Sequence, residues 1–190
     1  MLLATASCAS TSSGGAKTPL SPGPSTTGTA TTGATPTVSA TVSSPSTPVD
    51  QNSPEAQAGI VTYRAMWADV VKVQATMNDN DLTLSHHLVG DALTYFHSAT
   101  HINRLNGYVS AKGEPKLLDP VVTHVVGSGS SVQIVVTDCV DDSGYTKYTS
   151  DGTKVNDGDP GGRRFTQALV VPVDGGYKVK TFAYSRTGTC

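Results

Sequence analysis

A break in composition near Ser53 constrains this chain more than any other feature. From Ala9 to Asn52 it is built almost entirely of Thr, Ser, Pro, Gly and Ala, has no aromatic residue, and is punctuated by Pro19, Pro22, Pro24, Pro36, Pro45 and Pro48. Ordering a residue costs about 1–2 kcal/mol of backbone entropy. A segment with so little apolar surface has nothing to set against that cost. Any hydrophobic core must therefore come from residues 53–190, a stretch long enough for one ordinary domain. The expectation is a disordered Thr/Ser/Pro-rich tether over 9–52 and a single folded domain over 53–190.

The tether begins behind a cysteine. Ala6 and Ser7 precede Cys8 as small residues precede the lipid-acceptor cysteine of bacterial lipoproteins, which this arrangement resembles. A secretory signal also needs a basic start and an apolar stretch of about 7–15 residues. Met1–Ser7 supplies only a stub, and Thr5 stands where the lipobox usually has Leu. Residues 1–8 thus read as a truncated signal and lipobox remnant, with the true start codon upstream. The alternative, an incidental or buried cysteine, has no core around it. Lipidation at Cys8 implies a membrane partner reached through a lipid anchor, at the outer face of the cytoplasmic membrane or in the secreted fraction.

Charge narrows the partners. The formal net charge of −2 arises within residues 53–190, because Lys17 and Asp50 cancel in the tether. A phosphate-binding surface would need clustered Lys and Arg, so nucleic acid is not an expected partner. Arg163-Arg164 and Lys178 with Lys180 read as solvated strand positions. No run of 18 or more apolar residues is present, so no helix is expected to span a bilayer.

Within the domain, helices precede strands. Ser53 can cap, Pro54 suits a first turn, and Glu55 complements the helix dipole. Ile60, Tyr63, Met66, Trp67, Val70, Val71 and Val73 then recur near the helical period, and Asn78-Asp79-Asn80-Asp81 ends the segment. A second helix is expected from about Ser85 to Tyr95 or Phe96, and a short third from Ser98 to Leu105, stopped by Asn106-Gly107. Strands follow at 108–111, 120–126, 131–139, 145–149, 165–173 and 177–184, separated by turns such as Asp174-Gly175-Gly176. Helices first and an antiparallel sheet second predict an α+β fold, two or three helices packed on one face of the sheet.

This order, with Tyr63-Arg64-Ala65-Met66-Trp67, Gly90-Asp91-Ala92-Leu93, Leu105-Asn106-Gly107, Val136-Thr137-Asp138-Cys139-Val140-Asp141, Gly162-Arg163-Arg164 and Gly175-Gly176-Tyr177-Lys178-Val179, resembles the cone-shaped nuclear transport factor-like, or SnoaL-like, superfamily. It is similar in particular to uncharacterised actinobacterial secreted proteins and lipoproteins, also found on phages of those bacteria. The resemblance implies a cone of helices on a curved antiparallel sheet. It implies no one activity, because members include isomerases, dehydratases and binding domains, and fold does not choose among them.

Setting Cys8 aside, Cys139 and Cys190 remain. An even pair outside the cytoplasm reads as a disulfide rather than two free thiols. Strands 131–139, 165–173 and 177–184 can run up, down and up, so the first and third finish at one edge. Cys139 ends the first, and Cys190 lies a short segment past the third. Neither belongs to a Cys-x-x-Cys or Cys/His spacing, so no zinc or redox cofactor is expected.

Candidate chemistry is sparse. His97 and His101 are four apart, as metal pairs on a helix require, yet no third ligand follows by spacing and turn residues could break the helix between them, so a solvated or partly packed pair is the favoured reading. His86-His87 point in different directions. Alternation in the 131–139 strand places Val132, Ile134, Val136 and Asp138 on one face. If that face lines the cone, Asp138 stands at its mouth, where a desolvated carboxylate can act as a general base with His124, Tyr95 or Tyr184 as partner. Alternatively Asp138 simply ends a strand. Trp67, Tyr63 and Phe96 read as core. Two functions follow. One is a lipid-anchored, non-catalytic surface domain that binds an envelope protein or a small hydrophobic ligand, phage-encoded at a host envelope being one setting. The other is a small exported isomerase or hydrolase-like enzyme with an Asp/His/Tyr pocket. An open pocket around Asp138 or His124 favours the enzyme, and an interior filled by aromatic side chains favours the binding domain.

Overall fold

A computed structural model describes residues 48–156, 158 and 161–190. Cys8, the 1–8 segment and the tether up to residue 47 lie outside the described residues.

The first helix, α1 (Pro54–Gln74), starts as its residues dictate: the Ser53 side chain accepts from the Ala56 amide, and Pro54 occupies the first turn. Just before it, the Gln51 side-chain amide clamps the backbone of Val122, donating to its carbonyl at 2.8 Å and accepting from its N–H at 2.9 Å. Val49 packs against the core nearby. The chain is thus fastened to the domain a few residues ahead of the helix.

After α1 come a four-residue turn of helix, α2 (Leu84–His87), and one continuous helix, α3 (Gly90–Leu105). The expected break near residue 97 is absent; it falls at Leu88–Val89 instead. Those two residues are extended and attach to a strand edge, with the Val89 N–H donating to the Val179 carbonyl at 2.9 Å and Leu88 bridging Val179 in parallel. Gly90, at φ +59, turns the chain back into helix, a conformation that only glycine adopts without strain. The breaking force is a tertiary pairing, which local propensity does not encode.

Among the described residues seven strands follow: β1 (Tyr108–Lys112), β2 (Lys116–Leu117), β3 (Val121–Val126), β4 (Gln133–Asp141), β5 (Thr146–Thr149), β6 (Arg163–Val173) and β7 (Gly176–Tyr184). The main sheet is antiparallel. β4 carries β3 and β2 along one edge and β6 along the other, and β7 pairs outside β6. β1 and β5 form a separate two-stranded ribbon, where a single sheet was expected. Register shifts between Val122 and His124 and between Leu169 and Val170 interrupt the ladders, and such bulges increase local twist and bend a sheet. The β6–β7 hairpin turns through Asp174 and Gly175, both at positive φ, the geometry of an Asp-Gly two-residue loop.

α1 lies across the inner face of this sheet. Tyr63, Met66, Trp67, Val70 and Val73 meet Ile134, Val136, Val140, Ala168, Val170 and Val179 in one continuous core. Gly59 permits the approach, since a Cβ there would stand 2.7 Å from the Ile134 Cγ2. The result is the α+β fold that the order of elements predicts, in the cone form that the resemblance implies, with three helices on a curved antiparallel sheet. Cys139 and Cys190 are joined, their Cα atoms 5.9 Å apart. β4 and β7 run the same way on either side of β6, so both ends reach one edge and the bond ties the C-terminus there.

Candidate functional site

The strand alternation read from the sequence holds at β4, where Ile134, Val136, Asp138 and Val140 all face inward and are buried. Asp138 does not stand at a mouth. It is 3% exposed, under α1, and its oxygens are engaged. Oδ1 accepts from the Asp119 N–H at 2.8 Å, and Oδ2 lies 3.3 Å from the Tyr63 hydroxyl, which also meets the Thr166 hydroxyl at 2.8 Å. The reason is local. The edge along β4 is interrupted between β2 and β3, and the amide of Asp119 in that gap has no strand carbonyl to bond. Asp138 supplies the acceptor, as a buried N–H requires. Burial pushes its carboxyl pKa up, and the bonds from Asp119 and Tyr63 pull partly against this. Burial likewise drives the Tyr63 phenol far up, so Tyr63 is a protonated donor or acceptor and not a base.

The proposed companions of Asp138 are dispersed. His124 is exposed on β3. Tyr95, on α3, is 46% exposed and leans on Phe96 and Phe182 at ring distances of 5.1 and 6.0 Å. Tyr184 donates to Asp142 Oδ2 at 2.6 Å, and the Arg164 guanidinium pairs with the same oxygen at 3.0 Å while lying over the Tyr184 ring. Burial, then the bond to Asp142, raise the Tyr184 phenol pKa; burial alone raises that of Tyr95, against the pull of Arg164. Tyr63, not any of these three, is the titratable partner that Asp138 finds.

The interior between helices and sheet is filled with rings. Trp67 touches Tyr63, Phe96, Phe182 and Tyr184 at centroid distances of 6.5, 6.0, 5.7 and 6.2 Å, mostly edge to face, the arrangement the aromatic quadrupole favours. Its indole N–H is buried and makes no hydrogen bond among the described residues, although it lies close enough to Tyr63 to ease that phenol's ionisation slightly.

The histidines have separate surroundings. His97 and His101 do share a continuous helix, but His97 is exposed, whereas His101 Nδ1 meets Asp79 Oδ2 at 2.5 Å and Arg104 Nε meets Asp79 Oδ1 at 3.0 Å. His101, then Arg104, hold the Asp79 carboxyl at about 2. This cluster ties the loop after α1 to α3. Among the described residues no group of three or more His, Cys, Asp or Glu is placed to hold a metal. His87, in contrast, lies with Nδ1 2.7 Å from Asp69 Oδ2 and lines a cavity of about 390 Å³ between α1, α2 and the β6–β7 hairpin. The sequence did carry a signal for this pair, since Asp69 is an acidic residue inside the apolar stripe of Met66, Val70 and Val73 and is itself buried.

No protein-family model matches the chain, and no curated protein matches it. Among solved structures, the intermembrane-space region of the chloroplast protein ARC6 is similar at 14% identity and a TM-score of 0.50, covering 70% of this chain and 97% of that one. At that identity the likeness is one of fold. Aln2 from a Streptomyces species overlays at 11% identity and a TM-score of 0.44, over 70% of this chain and 92% of its own. Rv3472 of Mycobacterium tuberculosis, described as of unknown function, overlays at 12% and 0.39, over 72% and 79%.

Proposed function

We propose that this protein is a non-catalytic binding domain displayed outside the cytoplasmic membrane, held there by a lipid on Cys8 and spaced from it by the Thr/Ser/Pro-rich segment, which ends short of residue 52 because Val49 and Gln51 are fastened to the domain. The observation that carries the reading is the occupied interior. Tyr63, Trp67, Phe96, Phe182 and Tyr184 fill the cone where a substrate would lie, and Asp138 is committed to the Asp119 amide. An enzyme of this plan needs a carboxylate free to take a proton from substrate, and Asp138 sits 3% exposed with both oxygens in use. The Cys139–Cys190 bond supports export, because disulfides persist in oxidising compartments. The partner is an envelope protein or a small ligand with an apolar part.

Detergent phase partitioning of the gene product expressed with an export signal upstream tests the anchor. The expected result is recovery in the detergent phase, a diacylglyceryl-modified N-terminal cysteine by mass spectrometry, and loss of both in Cys8→Ser. A Cys8→Ser protein that stays equally membrane-bound defeats the anchor.

A further inference from the structure

The cavity beside His87 has the make-up of a small-ligand site, and it lies apart from the aromatic interior and Asp138. Its volume of about 390 Å³ falls within the range of small-molecule sites, about 300–1,000 Å³. Val61, Ala65, Val173 and Tyr177 contribute the apolar part of the wall. Among the polar side chains on the wall, which include His86 and the Tyr177 hydroxyl, Thr62, His87 and Lys178 matter most.

The first is Thr62. It is 6% exposed, lines the cavity, and its hydroxyl makes no hydrogen bond within the described residues. The helical threonines Thr94 and Thr100 behave otherwise, returning their hydroxyls to the carbonyl four residues back at 3.1 and 2.9 Å. The Thr62 side chain lines the cavity, where its hydroxyl can meet a guest. The second is His87. A carboxylate can only accept, so the 2.7 Å contact with Asp69 assigns a proton to Nδ1 and leaves Nε2 uncommitted, on a ring that lines the cavity. Asp69 also fixes the ring plane, as an orienting carboxylate does for a working imidazole. The third is Lys178, whose ammonium spends one donor on the Ser85 carbonyl at 2.8 Å and retains others.

We propose that this cavity binds a small carboxylic acid bearing a short apolar chain, the carboxyl group held by Thr62 Oγ1, His87 Nε2 and Lys178 Nζ and the chain laid over Val61, Ala65 and Tyr177. A carboxyl group suits the set in either ionisation state. Imidazolium donates to a carboxylate, and neutral imidazole accepts the O–H of the acid. An amine meets Lys178 as a like charge, and an alcohol leaves the ammonium without a counter-charge. Asp174, exposed at the hairpin, is the one carboxylate lining the cavity among the described residues, and its charge weakens anion binding. The inference rests on the ligand-binding part of the reading above and is independent of the lipid anchor.

The test is titration of the full chain with hexanoate, hexylamine and hexanol, followed by amide chemical shifts in solution. Hexanoate should give saturable shifts centred on Thr62, His87 and Lys178, and the other two should give none there. Lys178→Met should weaken hexanoate by about tenfold or more, the loss of a charge-assisted bond, and Thr62→Val by about fivefold, the loss of a neutral one. Asp174→Asn, at an exposed turn, should tighten it. Hexylamine binding as well as hexanoate, no saturable shift with hexanoate, or indifference to both Lys178→Met and Thr62→Val would overturn the proposal. Each of those results leaves the detergent partitioning of the Cys8 lipid unaffected, so the two readings fail separately.

Discussion

Replacing Asp138 with Asn separates a structural carboxylate from a catalytic one. The side chain is buried at 3% exposure, and burial is the largest influence on its carboxyl, raising the folded pKa above the unfolded one. Linkage then sets the sign. Below the unfolded pKa the carboxyl is protonated in both states and carries no pH-dependent loss. As pH rises, the unfolded chain releases its proton first and the folded chain retains it. Stability therefore falls until the pH passes the folded pKa, with a slope of at most about 1.4 kcal/mol per pH unit. Asn reproduces the protonated form, since its carbonyl accepts from Asp119 and its amide faces Tyr63, and it cannot ionise. Urea unfolding followed by the fluorescence of Trp67, the chain's single tryptophan, should give equal stabilities for the two proteins near pH 4, where ordinary aspartates titrate. The balance should shift toward Asp138→Asn as pH rises to neutrality. Asp138→Ala, which strands the Asp119 amide, should instead cost about 1–3 kcal/mol throughout. An Asn variant that loses ground to wild type with rising pH would show that the hydrogen bonds outweigh burial and that the carboxylate is held ionised. That refutes the argument.

Two further outcomes follow from packing and covalent closure. Reduction of the Cys139–Cys190 bond, which spans 51 residues, should lower the thermal midpoint, the chain-entropy ceiling being about 4 kcal/mol; alkylation of two thiols in the native exported protein would contradict the pairing. Gly59→Ala should destabilise, although the same change in an exposed helix interior gains about 1 kcal/mol, because the new Cβ would stand 2.7 Å from the fully buried Ile134 and overpacking of this kind costs about 1–3 kcal/mol. A midpoint that rises in Gly59→Ala would mean that α1 does not rest on β4 at this position.

The limits of sequence reading here fall where contacts are long-range. The N-terminus of α1, the inward set of β4 and the Asp-Gly hairpin were legible because capping, alternation and turn chemistry are local, and all appear in the structure. The division of the helices was misplaced because Leu88 and Val89 leave helix to join β7, a partner about ninety residues away. The β1–β5 ribbon was invisible for the same reason, since alternation specifies a face and not a neighbour. The surroundings of Asp138 were hidden for a different reason. Asp138 drew attention as an acidic residue on a strand's inner face, and the demand it answers is the Asp119 amide in an interrupted edge, which no side-chain pattern announces. Asp69 sits in the equivalent position on a helix, an acid within an apolar stripe, and by the same logic required a partner. Burying a carboxylate without one costs more than a domain tolerates, so the stripe alone implied a donor, and His87 in the adjoining four-residue helix provides it. The informative residue was therefore the charge that interrupts the hydrophobic pattern, and its partner was readable as a chemical type before it was readable as a position.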